Sequence, residues 1–126
     1  MAGDQRDRGR LILCATPIGN LGDTSRRLAE TLAVADVILA EDTRRTSKLL
    51  ASLGVDRPML SYFAGNEDHR AAELEGLLAE GKTVALVTDA GTPAISDPGI
   101  SAVAVARKVN AEITIVPGPS AVTAAL

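Results

Sequence analysis

The chain has 126 residues, with 13 Lys+Arg against 16 Asp+Glu for a formal net charge of −3, and is 46% apolar and 23% charged. That length and composition exclude a disordered chain and fit one domain able to bury a core of its own. The acidic balance argues against a surface that is basic overall, and no apolar stretch approaches the roughly 20 residues of a membrane span.

In chain order, the opening MAGDQRDRGR mixes charges of both signs around no hydrophobic segment, which reads as a frayed tail over 1–10 rather than a secretory leader. Leu11–Ala15 is the first apolar run. Cys14 inside it is the single cysteine; it excludes an intrachain disulfide, fits a reducing cytoplasm and is expected to pack as a small hydrophobe. In the next loop, "TPIGNLGD", Gly19 and Gly22 permit positive φ or close backbone approach, while Asp23, Thr24 and Ser25 are N-cap candidates. Its spacing is GxxG, not the dinucleotide GxGxxG. An acid, Glu41 or Asp42, nonetheless falls about where that fingerprint places its ribose ligand, so a nucleotide-binding domain stays a rival.

A helix is predicted from Thr24 or Ser25 through Leu28, Leu32 and Ala35, followed by a strand over Val37–Ala40. In "AEDTRRTSK", Glu41 and Asp42 suit a general base, a ribose ligand or a helix cap, and Arg44, Arg45 and Lys48 suit either a phosphate grip or a solvated face. The second helix carries Leu49, Leu50 and Leu53 and stops at Gly54. A third strand, Met59–Tyr62, leads to a helix from near Glu67, through Leu74, Leu77 and Leu78, to Gly81. His69, the only histidine, lies in that charged helix start without a second histidine or cysteine nearby, so no metal site is expected.

The fourth strand, Thr83–Val87, runs into "TDAGTPAISDPG". Pro93 and Pro98 stiffen this segment, Gly91 and Gly99 admit unusual backbone, and its small residues leave N–H and C=O groups open to a visitor. Ile95 is the one apolar side chain able to meet a ring. A plain connection needs no such ordered length. A fourth helix, Ile100 to Val109, ends near Asn110; the strand Ile113–Val116 leads to "PGPSA", and "SAVTAAL" reads as the opening of another helix.

Five apolar runs alternating with four helices predict an α/β fold: a five-stranded, mostly parallel sheet with helices on both faces, each strand covered on both sides. In such a sheet ligands bind beyond the carboxyl ends of the strands, and every Gly/Pro-dense loop of this chain falls on that edge.

Together "ATPIGNLGD", "AEDTR", "DAGTPAISDPG" and "PGPSA" resemble, in order and spacing, the N-terminal Rossmann-like domain of the tetrapyrrole-methylase-like superfamily. The similarity is greatest to its branch that methylates a cytidine 2′-hydroxyl of 16S ribosomal RNA. The resemblance implies an S-adenosylmethionine (AdoMet) dependent enzyme, cytoplasmic, homodimeric at full length and free of membrane. It would act on 16S rRNA or the 30S subunit. It implies cofactor contacts at Leu21, at Asp89, Ala90, Gly91, Thr92 and Ile95, and at Ser120 and Ala121. By position, Asp23 and Glu41 are candidates to assist the attacking hydroxyl and Asn20 to orient the ribose. Arg26, Arg44, Arg45 and Lys48, with Arg27 beside them, are candidates for RNA contact. The domain is expected over 11–117, with 118–126 starting a further domain, so that this chain alone is expected to be inactive. Two alternatives are a small-molecule (corrin or porphyrin precursor) methylase of the same superfamily and a non-catalytic nucleotide-binding module. Relatives often carry "YHEHNE" after the third strand where this chain has "YFAGNE", so no role of those histidines transfers.

Overall fold

The computed structural model describes residues 8–15, 26–63, 65–88 and 97–116. Five strands, β1 (Arg10–Ala15), β2 (Val37–Ala40), β3 (Met59–Ser61), β4 (Thr83–Thr88) and β5 (Glu112–Val116), alternate with α1 (Arg26–Val34), α2 (Thr43–Leu53), α3 (Glu67–Ala79) and α4 (Asp97–Lys108). The sheet order is β3-β2-β4-β1-β5 and every strand pairing is parallel. The expected fold class is therefore the observed one.

Side-chain alternation divides the interior into two layers. Ile12, Cys14, Ile38, Ala85 and Val87 face Leu28 and Leu32 of α1 and Leu49 and Leu50 of α2. Leu11, Leu13, Leu39, Val84 and Leu86 face Leu74 and Leu78 of α3 and Ala102 and Ala106 of α4. The division follows from handedness: β1 to β2 to β3 steps one way across the sheet and β3 to β4 to β5 steps back. Right-handed crossovers then put the second pair of helices on the opposite face.

The helix boundaries have local causes. Asp42 caps α2, its side chain accepting from the Arg45 N–H at 3.1 Å. Gly54 (φ 68°), Gly81 (φ 86°) and Asn110 (φ 58°) stand in the left-handed region after α2, α3 and α4. After each, the next amide closes back onto the helix, Val55 N to Leu50 O at 2.9 Å, Lys82 N to Leu77 O at 3.0 Å and Ala111 N to Ala106 O at 2.9 Å. At the amino edge, the Arg57 Nε donates to the Ala33 carbonyl at 2.9 Å, and Asp36 exchanges two bonds with Thr83.

Two expectations need correction. α4 begins at Asp97, not Ile100, so the "DPG" of the fourth loop is helix, with Pro98 and Gly99 buried. Proline in a first turn sacrifices an N–H that has no intrahelical acceptor, so it starts a helix as readily as it ends a loop. Coverage on both faces holds for β1, β2 and β4 only. The outer strand β3 is half-buried throughout and β5 leaves Ile115 46% exposed.

Candidate functional site

All five strands point the same way, so their following segments leave one edge. Register makes that statement sharper. Ala15 pairs with Thr88, Cys14 with Val116, Ala40 with Val87 and Ser61 with Ala40. The segments 16–25 and 89–96 thus depart from adjacent strand ends, β1 towards α1 on one face and β4 towards α4 on the other. Neighbouring strands whose connections diverge to opposite faces form the switch point where open α/β sheets hold their ligands. The strand-end residues there are small or short and polar: Ala15, Ala40 and Thr88, all buried.

Asn20, Leu21, Asp23, Asp89, Ala90, Gly91, Thr92, Ile95, Ser120 and Ala121 lie outside the described residues. The remaining candidates are in view. Glu41 is half-buried directly after β2, its N–H donating to the Val87 carbonyl at 3.2 Å. Its carboxylate makes no hydrogen bond or ion pair among the described residues. Of the neighbouring pair, then, Asp42 is the cap and Glu41 is not engaged in one. Arg26, Arg44, Arg45 and Lys48, and Arg27 as well, are exposed. α1 and α2 share a face and both start at the carboxyl edge, so all five stand in the first two turns of helices on one side of the sheet. His69 is exposed on the first turn of α3.

The β3–α3 junction holds a network that motif reading passed over. Tyr62 is 0% exposed, and its N–H continues the ladder to the Ala40 carbonyl at 2.9 Å. Its hydroxyl lies 3.0 Å from the Ser101 hydroxyl, tying the outermost strand to the second turn of α4. Burial pushes the Tyr62 pKa up, the Ser101 bond works against that rise, and Glu67 and Asp68 add to it. Asn66 stands at the N-cap of α3 without capping it. Its Oδ1 instead accepts from the Phe63 N–H at 2.8 Å, and its Nδ2 donates to Ser61 Oγ at 3.0 Å. The Arg70 Nε donates to the Ser61 carbonyl at 3.1 Å. The available signal was the only tyrosine of the chain standing at a strand's carboxyl end.

Two cavities, of about 380 and 300 Å³, lie elsewhere. One lies between the latter half of α1 and the segment after α2, the other between α3 and the β2–β3 side of the sheet. Neither touches the carboxyl edge. Among the described residues no His, Cys, Asp and Glu cluster suits a metal ion, and no helix is long and apolar enough to cross a membrane.

Comparison with known proteins agrees with this architecture. A ribosomal RNA small subunit methyltransferase I of Xylella fastidiosa is 52% identical over 118 residues, covering 94% of this chain and 43% of that protein. A protein of the same name from Thermotoga maritima is 50% identical over 118 residues, covering 94% and 53%. The chain spans about half the length of the curated relatives it matches. Among solved structures, a cobalamin biosynthetic enzyme, cobalt precorrin-4 methyltransferase, superposes with a TM-score of 0.69 at 25% identity, covering 93% of this chain and 48% of that one. A uroporphyrin-III-C-methyltransferase from Thermus thermophilus shares the fold, with a TM-score of 0.64 at 20% identity over 86% and 47% of the two chains. Residues 10–126 match the tetrapyrrole (corrin/porphyrin) methylases, so the chain belongs to that family.

Proposed function

We propose that this chain is the AdoMet-binding N-terminal portion of a methyltransferase acting on a cytidine 2′-hydroxyl of 16S ribosomal RNA, in the cytoplasm and as a homodimer at full length. The observation that carries the reading is the register of Ala15 with Thr88, in a chain 52% identical to a protein named for methylating small-subunit RNA. That register sets side by side the two strand ends from which segments 16–25 and 89–96 continue. The small strand ends suit a flat, polar visitor held through the main chain. Leu21, residues 89–92, Ile95, Ser120 and Ala121 would hold the cofactor.

AdoMet, when bound, supplies an electrophilic methyl carbon on sulfonium. The protein's part is alignment of the attacking oxygen in line with that carbon, which supplies much of the acceleration in such displacements. A ribose hydroxyl is a weak nucleophile and gains from an acceptor for its proton. Glu41 offers a carboxylate without a competing partner among the described residues, Asp23 stands in the first loop, and Asn20 is assigned to orient the ribose. Arg26, Arg44, Arg45 and Lys48 would take RNA phosphates.

The deciding assay incubates the chain, and a longer form carrying the sequence that follows position 126 where one exists, with methyl-labelled AdoMet. Naked 16S RNA, 30S subunits and a tetrapyrrole precursor are offered in separate reactions. Label in a cytidine ribose of the RNA is expected. Label in the precursor would transfer the assignment to small-molecule methylation. A longer form that AdoMet fails to protect from unfolding would mark a non-catalytic module.

A further inference from the structure

The chain contains one phenylalanine, one tyrosine and no tryptophan. The tyrosine is enclosed, yet its neighbour Phe63 is 42% exposed at the carboxyl edge. A lone exposed apolar residue needs no explanation in general. Here three local choices that each cost stability converge on presenting that ring.

The first is the diverted cap. Asn66 is well suited to cap α3, but its carboxamide closes the turn instead, accepting from the Phe63 N–H while donating to Ser61. The Asn66 N–H also donates to the Phe63 carbonyl at 2.9 Å, so both backbone polar groups of Phe63 are held by one residue. The second is Gly65. A Cβ built there would lie 2.6 Å from Phe63 Cε2 and 3.2 Å from Cδ2, so the ring rests against the glycine and a side chain at this position would push it aside. The third is the exposure itself, in a chain that buries its other aromatic ring completely. The ring is anchored at its backbone, backed on one side and open to solvent.

Its neighbours carry both signs of charge, Glu41 and Asp42 with Arg44 and Arg45 at the start of α2, and Glu67 and Asp68 at the start of α3. β2 and β3 pair in register, Ala40 with Ser61, so segments 41–45 and 62–66 leave the sheet side by side. The first turn of α2 carries Arg44 and Arg45, both exposed, and Arg44 makes no ion pair among the described residues. An exposed aromatic face beside exposed cations has elements of a single-stranded nucleic-acid site, where bases stack on rings and cations hold the backbone.

We propose that Phe63, held out by the Gly65–Asn66 turn beside the start of α2, stacks on an unpaired base of the RNA substrate. The inference rests on the RNA reading above and adds a contact that the shared motifs do not assign.

The test is fluorescence-anisotropy titration of this chain with a labelled single-stranded pyrimidine RNA about a dozen nucleotides long, at two salt concentrations. Phe63→Ala and Phe63→Leu are expected to weaken binding roughly tenfold without changing the salt slope, and Phe63→Trp to retain affinity. The introduced indole, unique in the chain, is expected to be quenched on RNA addition. Gly65→Ala should follow Phe63→Ala in affinity while its thermal unfolding stays close to the parent's. Arg44→Ala should weaken binding and flatten the salt slope by about 0.7.

Leucine binding RNA as well as phenylalanine would overturn the proposal, as would an unquenched indole or the absence of RNA binding by the parent chain. Phe63→Ala altering self-association in sedimentation, with RNA affinity intact, would reassign the ring to a protein interface and also overturn it. AdoMet calorimetry on the same samples separates this inference from the one beneath it. Phe63-dependent RNA binding without AdoMet binding removes methyl transfer and leaves the stack standing, and the reverse pattern does the opposite.

Discussion

Tyr62 shows how a single side chain joins distant parts of this molecule. Its ring packs among Leu39, Leu74 and Leu86, and its hydroxyl bonds Ser101 across 39 positions of sequence. Tyr62→Phe keeps the ring and gives up the bond, and should lower unfolding free energy by about 1 kcal/mol in urea titration. Tyr62→Ala should cost about 3–5 kcal/mol through the cavity it opens. Cys14 carries a pH signature. Burial pushes its thiol from 9.0 up to about 12, with the positive charge of Arg27 working the other way. An unfolded chain ionises this thiol above pH 9.0 while the folded chain holds it neutral up to about 12. The stabilisation is therefore complete below that window and is lost across it as pH rises, by up to ~1.4 kcal/mol per pH unit. The raised Tyr62 hydroxyl acts in the same direction. Urea unfolding at rising pH should show the decline, and Cys14→Ala, though less stable at neutral pH, should decline less steeply. Burial of Cys14 was legible from its apolar strand. The Tyr62 bond was not, because a hydroxyl's partner depends on which helix returns above it.

At the scale of elements, the ends of α2 could be read from the chain almost to the residue. Asp42 and Gly54 are the two residue types that such ends favour, and they stand 12 positions apart with Leu49, Leu50 and Leu53 between them. Gly54→Ala forces a Cβ into the left-handed region and should cost about 1 kcal/mol by denaturant titration. At the equivalent position after α4, Asn110→Gly should be neutral or mildly stabilising, since φ is already 58°. Gly9→Ala should be the most damaging of the three. Its Cβ would overlap the Leu78 backbone carbonyl, which no rotamer change relieves, while Gly9 O receives the Glu112 N–H at 2.8 Å. The start of α4 was misread because Asp-Pro-Gly is common to loops and to first helical turns.

For the whole molecule, function depends on which strands are neighbours. AdoMet titrated calorimetrically into this chain should bind more weakly than into the Thermotoga maritima relative, of which the match covers 53%; equal affinities would place every important contact within these residues. Polyanion binding should fall steeply with salt despite a net charge of −3, because Arg26, Arg27, Arg44, Arg45 and Lys48 share one face and one edge. Apolar runs and cap residues alone determined the five strands and four helices among the described residues, since those patterns are local and repeat with the period of the element they form. Strand order, the meeting of Ala15 with Thr88, and the reach of Tyr62 to Ser101 were decided only in three dimensions. Buried apolar strands are chemically alike, so nothing within one names its neighbour; the handedness of each crossover and the packing of two helical layers make that choice.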